Sequence, residues 1–570
     1  MFRQLFIWIP VLLVGIVAAT TLFLYSHSYV SFIHFILDSI HRSDLEEIIR
    51  SRYFPETKFQ LLKLTSLSVS VLSFLFGVFV CIWRKQYFLA VERLRTSFVF
   101  YFYKTRDLFL SFDRNGRIAT GILLLIILIR SIYYASSFYI QYDEAWNYNL
   151  FLDKHISYSL GAYNNYPLHN IVSWFFVKLF GNSVFVLRVP SILVGVGTVF
   201  FVTLLAKKLS GKQWIALSVA AVFACMPVSI FYMMYARGVM FELFFCVLIT
   251  GLLLYYIRHG FTFRRIVFIA VLQALGTYSM LSHPYFIVAS ALALILYSLL
   301  HSGKQMVYFL LHGILSIVFS LLLLTPMIVG TGIAPGISHA TSLDTIEFSS
   351  ILTHIETYSY FITGFNFMFY MQFVTCVVLL FFFRKISIAL FSILFSLVLF
   401  SMLIIIPITT KIFPPERALS FLVLIPMLTL PLLFSLFAKH AHFNIILSAV
   451  TVCMIIVFSY KSHTHHFLNW SKKLDHLVFE TADMFKKEKI AVAYNECPDF
   501  SYFIPGIEFY LKQDHKQIVF VSSSPASTRY ASVMDSSINY IISCEKSLPE
   551  TMEIIYEANG FVLCKRKGIN

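Results

Sequence analysis

Residues 121–146 read GILLLIILIRSIYYASSFYIQYDEAW and join a long apolar run to two adjacent carboxylates, Asp143 and Glu144. A helix rises ~1.5 Å per residue, so about 20 apolar residues cross a hydrocarbon core ~30 Å thick. The run therefore predicts a membrane-spanning helix that ends just before the acids. Tyr and Trp side chains flank the acids and are typical of the membrane–water interface. We expect the acids to lie at one membrane face, either as an ordinary solvated pair or as a functional one.

The whole chain has the composition of a membrane protein. Of its 570 residues, 58% are hydrophobic and 13% are charged, and its mean hydropathy is +0.78. Soluble domains carry about 25% charged residues, so a water-soluble globule of this size, a disordered protein and a disulfide scaffold are excluded. The net charge of +15 fits basic cytoplasmic loops rather than a nucleic-acid partner. The eight Cys include no CxxC pair, so we expect no metal cluster and at most one disulfide.

Apolar runs of spanning length recur along the chain and predict about 13 transmembrane helices. The runs lie near 5–28, 60–83, 118–140, 184–206, 213–232, 239–257, 265–281, 284–300, 306–329, 359–383, 386–406, 417–438 and 443–460. With the N-terminus in the cytoplasm, the inner loops carry about twice as many Lys and Arg as the outer loops, as the positive-inside rule requires. The loop 330–358 has no Lys or Arg and is placed outside. An odd number of spans then places the C-terminus outside as well.

Three regions follow from these patterns. Residues 1–116 are predicted to form an N-terminal extension with two transmembrane helices and a basic cytoplasmic segment, and residues 117–460 a transmembrane core. In residues 461–570 a Lys-rich helical pattern alternates with short strand-like runs, which predicts a small soluble α/β domain outside the cytoplasm. The helical pattern lies at 467–488 and the strand-like runs at 490–494, 517–521, 538–543 and 561–564. The expected fold class is a polytopic α-helical membrane protein with this small α/β domain at its C-terminus.

A second polar segment, GAYNNYPLHNIVSWFFVKLFG at 161–181, follows the acids. Pro167 is tolerated at the first turn of a helix, and apolar residues recur on one side after it. This pattern predicts an amphipathic helix that lies in the interface rather than crossing the membrane. His169 stands at its start, as a structural residue or a ligand. Arg188 stands at the outer end of the next span, where its side chain is expected to extend toward water.

Several cations lie at the predicted outer face, against the positive-inside rule. Arg237 in YMMYARG and His283 in LSHPY occupy short turns, and Lys411 and Arg417 belong to TKIFPPER. An anionic headgroup or phosphate would explain them, because arginine forks match phosphate oxygens; extension toward water is the alternative. Arg130 lies mid-span, where a charge costs ~2.5–3.5 kcal/mol, so a partner inside the bundle is expected.

Taken in order, the motifs YDEAW, YPLHN, LRVPS, YAR, SHPYF and PPERAL resemble those of polyprenyl-phosphate-dependent glycosyltransferases of the GT-C fold. The resemblance is closest to bacterial relatives of dolichyl-phosphate-mannose protein mannosyltransferase and of the lipid A aminoarabinose transferase. It covers residues 117–440 and leaves the N-terminal extension outside. It implies a membrane glycosyltransferase that moves a hexosyl or pentosyl group from a polyprenyl-phosphate donor to an acceptor hydroxyl at the outer face, with inversion.

The same resemblance assigns roles to individual residues. Asp143 and Glu144 match its catalytic acids, with Asp143 as general base or as a ligand of a helping metal. Its donor-phosphate-binding cations are Arg237, Lys411 and Arg417, and its substrate-binding residues are Tyr142, Pro167, His169 and His283. Many relatives have two consecutive prolines where this chain has Pro167 alone. No cofactor follows with certainty, and a divalent cation on Asp143 and Glu144 is the one candidate.

Other functions remain open at the level of sequence. A flippase or transporter of lipid-linked sugars would also bind a polyprenyl headgroup, although transporters usually carry polar residues at the bilayer midplane on repeated, broken helices. A ligase or oligosaccharyltransferase of the same fold would move a whole glycan. The expected partners are a lipid-linked sugar donor, a lipid, glycan or protein acceptor, and membrane lipids. The expected location is the bacterial cytoplasmic membrane, with the endoplasmic reticulum as the alternative; the sugar and the acceptor are left open.

Overall fold

The computed structural model describes residues 14–15, 18–19, 21–39, 56–82, 84–153, 159–160, 166–301, 305–331, 348–438, 442–464, 491–494, 509–510, 519–522, 538–543, 552–558 and 561–567. The chain divides into two units, residues 1–106 with 325–335 and residues 107–324 with 336–570. Each unit has its own buried apolar cluster.

Helices dominate the described residues. In chain order they are α1 (Tyr29–Ser39), α2 (Glu56–Ile82), α3 (Arg84–Leu110), α4 (Arg114–Ser137), α5 (Tyr142–Asn147), α6 (Pro167–Phe180), α7 (Val184–Ser210), α8 (Gln213–Cys225), α9 (Pro227–Met233), α10 (Val239–His259), α11 (Phe263–Ser279), α12 (His283–His301), α13 (Met306–Thr331), α14 (Phe348–Thr363), α15 (Met368–Phe383), α16 (Ser387–Thr410), α17 (Leu424–Phe437) and α18 (Phe443–Thr464). A π-helical turn, Tyr148–Leu152, continues α5, and a 3₁₀ segment, Glu416–Val423, leads into α17.

The expectation of a polytopic α-helical membrane protein is confirmed. Within the described residues, 8 helices are long and apolar enough to cross a membrane, or up to 10 spans if each of two bent helix pairs counts as one. The sequence predicts about 13 spans, which is more than this number. Of the remaining runs, 60–83 is covered by α2 and 265–281 by α11, which has only 17 residues, while half of 5–28 lies outside the described residues. The number 13 stays a prediction.

In the first unit, α1 and α2 pack through aromatic and polar contacts. The Phe32 and Phe59 rings stack with their centroids 4.9 Å apart. Lys63 Nζ donates to the His27 carbonyl oxygen at 3.0 Å, and so ties α2 to the turn before α1. The basic segment that follows is helical from Arg84 to Leu110.

In the second unit, burial separates the inner helices from the lipid-facing ones. The spans α7, α10, α16 and Glu416–Phe437 are mostly buried, whereas α4, α13 and α18 expose most of their surface. The exposed side chains are largely Ile, Leu, Val and Phe. Lipid tails are as apolar as these side chains, so the exposure is expected for a helix that borders the bilayer.

The span formed by α8 and α9 is broken by a bend of 68°. Pro227 has no backbone N–H, so the carbonyl oxygens at the end of α8 lose helical partners. Arg130 on α4 replaces one of them, because its Nη2 donates to the Ala224 carbonyl oxygen at 2.7 Å. Ser462 Oγ donates to the Cys225 carbonyl oxygen at 3.3 Å. The partner expected for mid-span Arg130 is therefore a helix end and not an acid.

The second broken span bends by 92° between α14 and α15. Gly364 adopts a left-handed φ of 79° at the bend, and Ser359 Oγ donates to the Phe365 carbonyl oxygen at 2.5 Å. The apolar run at 359–383 had predicted one straight span. The structure instead begins α14 at Phe348, so the predicted outer loop 330–358 is shorter at this end.

The described part of the tail contains a five-stranded mixed sheet. Its strands are β1 (Ala491–Tyr494), β2 (Val519–Ser522), β3 (Ile538–Ser543), β4 (Met552–Ala558) and β5 (Phe561–Arg566). The order is β2-β1-β3-β5-β4, with β1 parallel to both neighbours and β5 antiparallel to both of its own. The four predicted strand-like runs coincide with β1, β2, β3 and β5, and β4 was missed. The helical pattern 467–488 lies outside the described residues.

The bond between Arg130 and α8 makes a prediction about stability. Replacing Arg130 by Met removes the donor to Ala224 and leaves a buried carbonyl oxygen unpaired, which should cost about 1–3 kcal/mol. Thermal unfolding of the purified protein in detergent should show a lowered melting temperature. Arg114→Met, at the exposed start of the same helix, is the matched control. Equal melting temperatures for the two variants would contradict this role.

Candidate active site

Asp143 is the centre of a small cluster of polar side chains. It lies in the first turn of α5, and its carboxylate is partly exposed. Arg237 Nη1 makes an ion pair with Asp143 Oδ2, and Tyr235 Oη donates to the same oxygen at 3.1 Å. Arg417 Nη1 lies 3.7 Å from it. Three segments that are distant in sequence thus meet at one carboxylate oxygen.

The link between α9 and α10 holds Arg237 in place. Its side chain is nearly buried, and its guanidinium lies over the Tyr166 ring, 4.8 Å from the ring centroid. Gly238 follows, and an added Cβ there would lie 2.0 Å from the Ser279 carbonyl oxygen. Only glycine fits this close approach of two backbones, which fixes the start of α10 and the arginine beside it.

Arg417 reaches the cluster from the 3₁₀ segment. The preceding Pro414 and Pro415 carbonyl oxygens lie 2.6 and 2.9 Å from the hydroxyl of Tyr358, which is buried on α14. This contact fixes the entry into the segment. The Arg417 side chain itself is 41% exposed, against 6% for Arg237. Asp143 therefore has one immobilised cation on its buried side and one accessible cation on its open side.

Glu144, the neighbour of Asp143, points into the protein. Arg188 on α7 binds it with two parallel hydrogen bonds, Nε to Oε1 at 2.9 Å and Nη2 to Oε2 at 2.5 Å. The backbone N–H groups of Ala236 and Gln141 donate to the same carboxylate at 2.7 and 3.0 Å. Both charged side chains are about 1% exposed. Glu144 therefore connects α5 to α7 and to the segment that carries Arg237.

Arg188 also completes the end of α4. Its guanidinium donates to the carbonyl oxygens of Ala135, Phe138 and Tyr139 at 2.8–3.0 Å. The expectation that Arg188 extends toward water is wrong, because five hydrogen bonds keep it buried. Nothing in the motif LRVPS distinguishes the two outcomes, since its partners lie about 50 residues earlier in the chain.

Tyr235 was not among the residues singled out in the sequence. Burial first, and then the charge of Asp143, raises the pKa of Tyr235 well above its ordinary value. Its hydroxyl therefore stays protonated and donates to Asp143. In the sequence it is one of two tyrosines in YMMYARG, where aromatic residues fit an interfacial belt equally well.

The amphipathic helix after the acids is present as α6, with Pro167 at its first position. Its polar residues His169, Asn170 and Ser173 are buried, while Phe175 and Leu179 are exposed. Asn170 exchanges two side-chain hydrogen bonds with Asn147 of α5, at 2.7 and 3.1 Å. The apolar face of α6 is thus directed outward, and its polar face is joined to α5.

The His169 side chain is fully buried and is not open to a substrate. Its Nε2 lies 3.3 Å from Ser173 Oγ, and its ring packs edge-on against Phe241. Burial lowers the pKa of His169 to about 4, so the imidazole is neutral at pH 7. This environment favours a structural role.

The other residues assigned by resemblance lie apart from the Asp143 cluster. Lys411 is exposed just after α16, with a left-handed φ of 55°, and no contact among the described residues joins it to Asp143. His283 is fully buried at the start of α12, where its Nε2 lies 2.7 Å from Gln273 Oε1. Tyr142 is half-buried in the first turn of α5. The structure therefore brings together Asp143, Arg237 and Arg417 and adds Tyr235.

The acid pair does not fit a divalent cation as it is arranged. The Asp143 oxygen faces two arginines and a tyrosine O–H, and Glu144 is enclosed by Arg188 and two backbone N–H groups. Cations and hydrogen-bond donors leave little room for a positive ion. Across the described stretches, no group of three or more His, Cys, Asp or Glu residues is arranged to hold a metal.

Comparison with solved structures identifies the fold. The chain is similar to ArnT from Cupriavidus metallidurans bound to undecaprenyl phosphate, with a TM-score of 0.53 at 10% identity over 80% of this chain and 98% of that one. The apo state of ArnT gives a TM-score of 0.50 at 10% identity, over 78% and 97%. An oligosaccharyltransferase from Archaeoglobus fulgidus, in complex with Zn and sulfate, gives only 0.43 at 13% identity, over 74% and 67%. No protein-family model and no curated protein sequence matches this chain.

At this level of identity the likeness concerns the fold and not the chemistry, because one fold hosts many functions. It extends over almost the whole length of ArnT. The resemblance read from the ordered motifs is confirmed at the level of architecture: this chain has the GT-C fold of ArnT.

Proposed function

We propose that this protein is a membrane glycosyltransferase that moves a sugar from a polyprenyl-phosphate donor to an acceptor hydroxyl at the outer membrane face. The observation that carries the proposal is the Asp143 carboxylate with Arg237 and Arg417 beside it. A positioned base next to two phosphate-binding cations is what such a transfer needs. The ArnT structure of the same fold, bound to undecaprenyl phosphate, supports a polyprenyl phosphate as the donor carrier.

The two arginines favour the transition state over the bound donor. A sugar joined to a polyprenyl phosphate is a phosphodiester with one negative charge. When the bond from the anomeric carbon to the phosphate oxygen breaks, its electron pair stays on that oxygen and the phosphate carries a second charge. Guanidinium groups held in place before the reaction stabilise this growing charge without reorganisation. Arg237 is fixed by Tyr166 and Arg417 is accessible, so the donor phosphate would enter beside Arg417.

Asp143 then accepts the proton of the acceptor hydroxyl. The acceptor oxygen attacks the anomeric carbon from the side opposite the leaving phosphate, so the configuration inverts. A positioned general base contributes roughly 10²–10⁴-fold to the rate. In the absence of donor, Asp143 is held by Arg237 and Tyr235. A phosphate that shares these arginines would weaken their hold on Asp143 and leave its second oxygen for the acceptor.

Glu144 is proposed as a positioning residue rather than a second base. Its four hydrogen bonds are all made to Arg188 and to backbone N–H groups. They fix the orientation of α5, and therefore the direction in which Asp143 points. Binding of the donor phosphate by Lys411 stays a prediction, since no contact among the described residues connects Lys411 to Asp143. No step is assigned to a metal.

The tail supports an extracytoplasmic location for the C-terminal region. Tyr510 Oη accepts a hydrogen bond from the Ile140 backbone N–H at 2.9 Å, and the Phe509 ring packs edge-on against Tyr148. These tail residues therefore lie at the same membrane face as Asp143. We propose that this face is the outer one, in a bacterial cytoplasmic membrane, because the basic residues concentrate in the opposite loops.

Substitution of Asp143 tests the base directly. Asp143→Asn keeps the shape of the side chain and removes the proton acceptor, so transfer from a synthetic polyprenyl-phosphate sugar should fall by roughly 10²–10⁴-fold. Asp153→Asn, an exposed change in the same loop, should transfer normally. Near-normal turnover by Asp143→Asn, in protein that is folded by its thermal unfolding curve, would refute the assignment. Comparison of phosphate- and diphosphate-linked donors in the same assay separates this function from transfer of a whole glycan.

Substitution of Arg417 tests the phosphate site. Arg417→Gln removes the accessible cation, and the KM for the donor should rise about tenfold, which corresponds to ~1.4 kcal/mol. Arg417→Lys should lose less, because it keeps the charge without the fork. Arg384→Gln, an exposed change at the end of α15, serves as control. An unchanged KM in Arg417→Gln would exclude Arg417 from donor binding.

Glu144 should matter mainly for stability. Glu144→Gln leaves the Arg188 charge buried without its partner, and loss of one member of a buried ion pair costs about 3–5 kcal/mol. The melting temperature in detergent should fall further for Glu144→Gln than for Asp143→Asn. The opposite order would contradict the positioning role of Glu144.

A further inference from the structure

A second polar cluster lies beneath the Asp143 site, inside the membrane-spanning bundle. Glu242 on α10 is fully buried, as is His283 at the start of α12. Glu242 Oε1 lies 3.7 Å from His283 Nδ1. Ser420 Oγ of the 3₁₀ segment donates to Glu242 Oε2 at 3.1 Å. An acid buried among spans is costly and is by default a candidate for function.

The hydrogen bonds beyond His283 fix which of its nitrogens carries a proton. Ser290 Oγ donates to the Ile287 carbonyl oxygen at 2.9 Å, so its hydrogen is already used. Gln273 Nε2, 3.2 Å from Ser290 Oγ, must therefore be the donor of that pair. The Gln273 amide then presents Oε1 to His283 at 2.7 Å. Since a carbonyl oxygen only accepts, His283 Nε2 carries the hydrogen, and Nδ1 of the neutral ring accepts from the Cys246 thiol, whose Sγ lies 3.6 Å away.

Glu242 Oε1 lies 3.7 Å from the same Nδ1, too far for a hydrogen bond, and has no hydrogen-bond partner among the described residues. An ionised carboxylate without a cation is too costly to bury. Around Glu242 the described residues supply the hydroxyls of Ser420 and Ser282, the Cys246 thiol and His283, but no Lys or Arg contact. A proton on Glu242 removes the buried charge, while Oε2 still accepts from Ser420.

We propose that Glu242 is an uncharged carboxylic acid which, together with His283 and Ser420, forms an inner clamp that positions Arg237 and Arg417 for the donor phosphate. The positioning part rests on the proposed function; the uncharged acid does not. Glu242 lies five residues after Arg237, in the first turn of α10. Ser420 lies three residues after Arg417 in the 3₁₀ segment. The clamp thus joins the two segments that bring both arginines to Asp143, about one helical turn below them.

The slot that holds His283 is built for it. An added Cβ on Gly276 of α11 would lie 2.3 Å from His283 Nε2, closer than atoms can pack. The imidazole therefore rests directly on the backbone of α11, while Gln273 from the same helix binds its Nε2. Neither contact leaves the ring free to turn, so the direction of Nδ1 toward Glu242 is imposed by α11.

Infrared spectroscopy tests the uncharged acid without reference to activity. A protonated carboxyl group has a C=O stretching band that is distinct from the bands of a carboxylate. The wild-type protein in detergent at neutral pH should show such a band that Glu242→Gln lacks. Glu92→Gln, at an exposed position, should retain it. A spectrum in which Glu242→Gln loses no protonated-carboxyl band would overturn the proposal.

The positioning role is tested by two substitutions of similar volume. In Glu242→Gln the amide oxygen still accepts from Ser420, so the KM for the donor should stay within about threefold of wild type. In Glu242→Leu the hydrogen bond from Ser420 is lost, and the KM should rise about tenfold or more while the bound enzyme keeps most of its turnover. If the two variants have the same KM, whether normal or raised, the clamp does not position the arginines.

Two further measurements keep the test decisive. If Glu242→Leu fails to fold, Ser420→Ala removes one hydroxyl only and should still raise the KM severalfold; an unchanged KM would contradict the clamp. Direct binding of undecaprenyl phosphate is measured on the same proteins. If the wild type neither binds this lipid nor transfers sugar, the proposed function fails, whereas the infrared result still decides the protonation of Glu242.

Discussion

The bidentate ion pair between Glu144 and Arg188 is the constraint on which the site depends. Burial of two charges is tolerated only when geometry and additional hydrogen bonds compensate for lost hydration. Here Arg188 also binds three carbonyl oxygens at the end of α4, and Glu144 also accepts two backbone N–H groups. Because neighbouring residues of a helix point in different directions, anchoring Glu144 inward turns Asp143 toward the opening. The buried Glu144 thus sets the direction in which Asp143 points.

Polar groups also need buried partners where the helices of the bundle are broken. A bilayer offers no water, so every backbone group that leaves a helix needs a partner from the protein. Arg130 and Ser462 supply it at the bend between α8 and α9, and Ser359 supplies it between α14 and α15. Both bends occur in spans that border the Asp143 site through Tyr235 and Tyr358. Irregular backbone is thus present where short segments must carry side chains to the site.

The sequence predicts the class of fold and the residues at the centre of the site, and the structure explains why it predicts less elsewhere. Asp143, Arg237 and Arg417 stand in polar motifs at the ends of apolar runs, so hydropathy alone locates them at one face. Arg188 and His283 look equally like outer-face residues. Their burial depends on partners many residues away, namely Glu144 and the bare backbone at Gly276. A hydropathy pattern does not show such contacts. It also misses α14, which is the more polar first half of the broken span formed by α14 and α15.

Helix α6 has a consequence for how the protein responds to the surrounding lipid. Phe175 and Leu179 are exposed on one side, while Asn170 on the other side is bonded to Asn147 of the acid-bearing helix. The depth at which Phe175 and Leu179 lie among lipid headgroups is therefore coupled, through the side-chain amides of Asn170 and Asn147, to the helix that carries Asp143. The position of Asp143 therefore depends on the lipid composition and lateral pressure around α6, and a detergent micelle offers this helix a different environment from a bilayer.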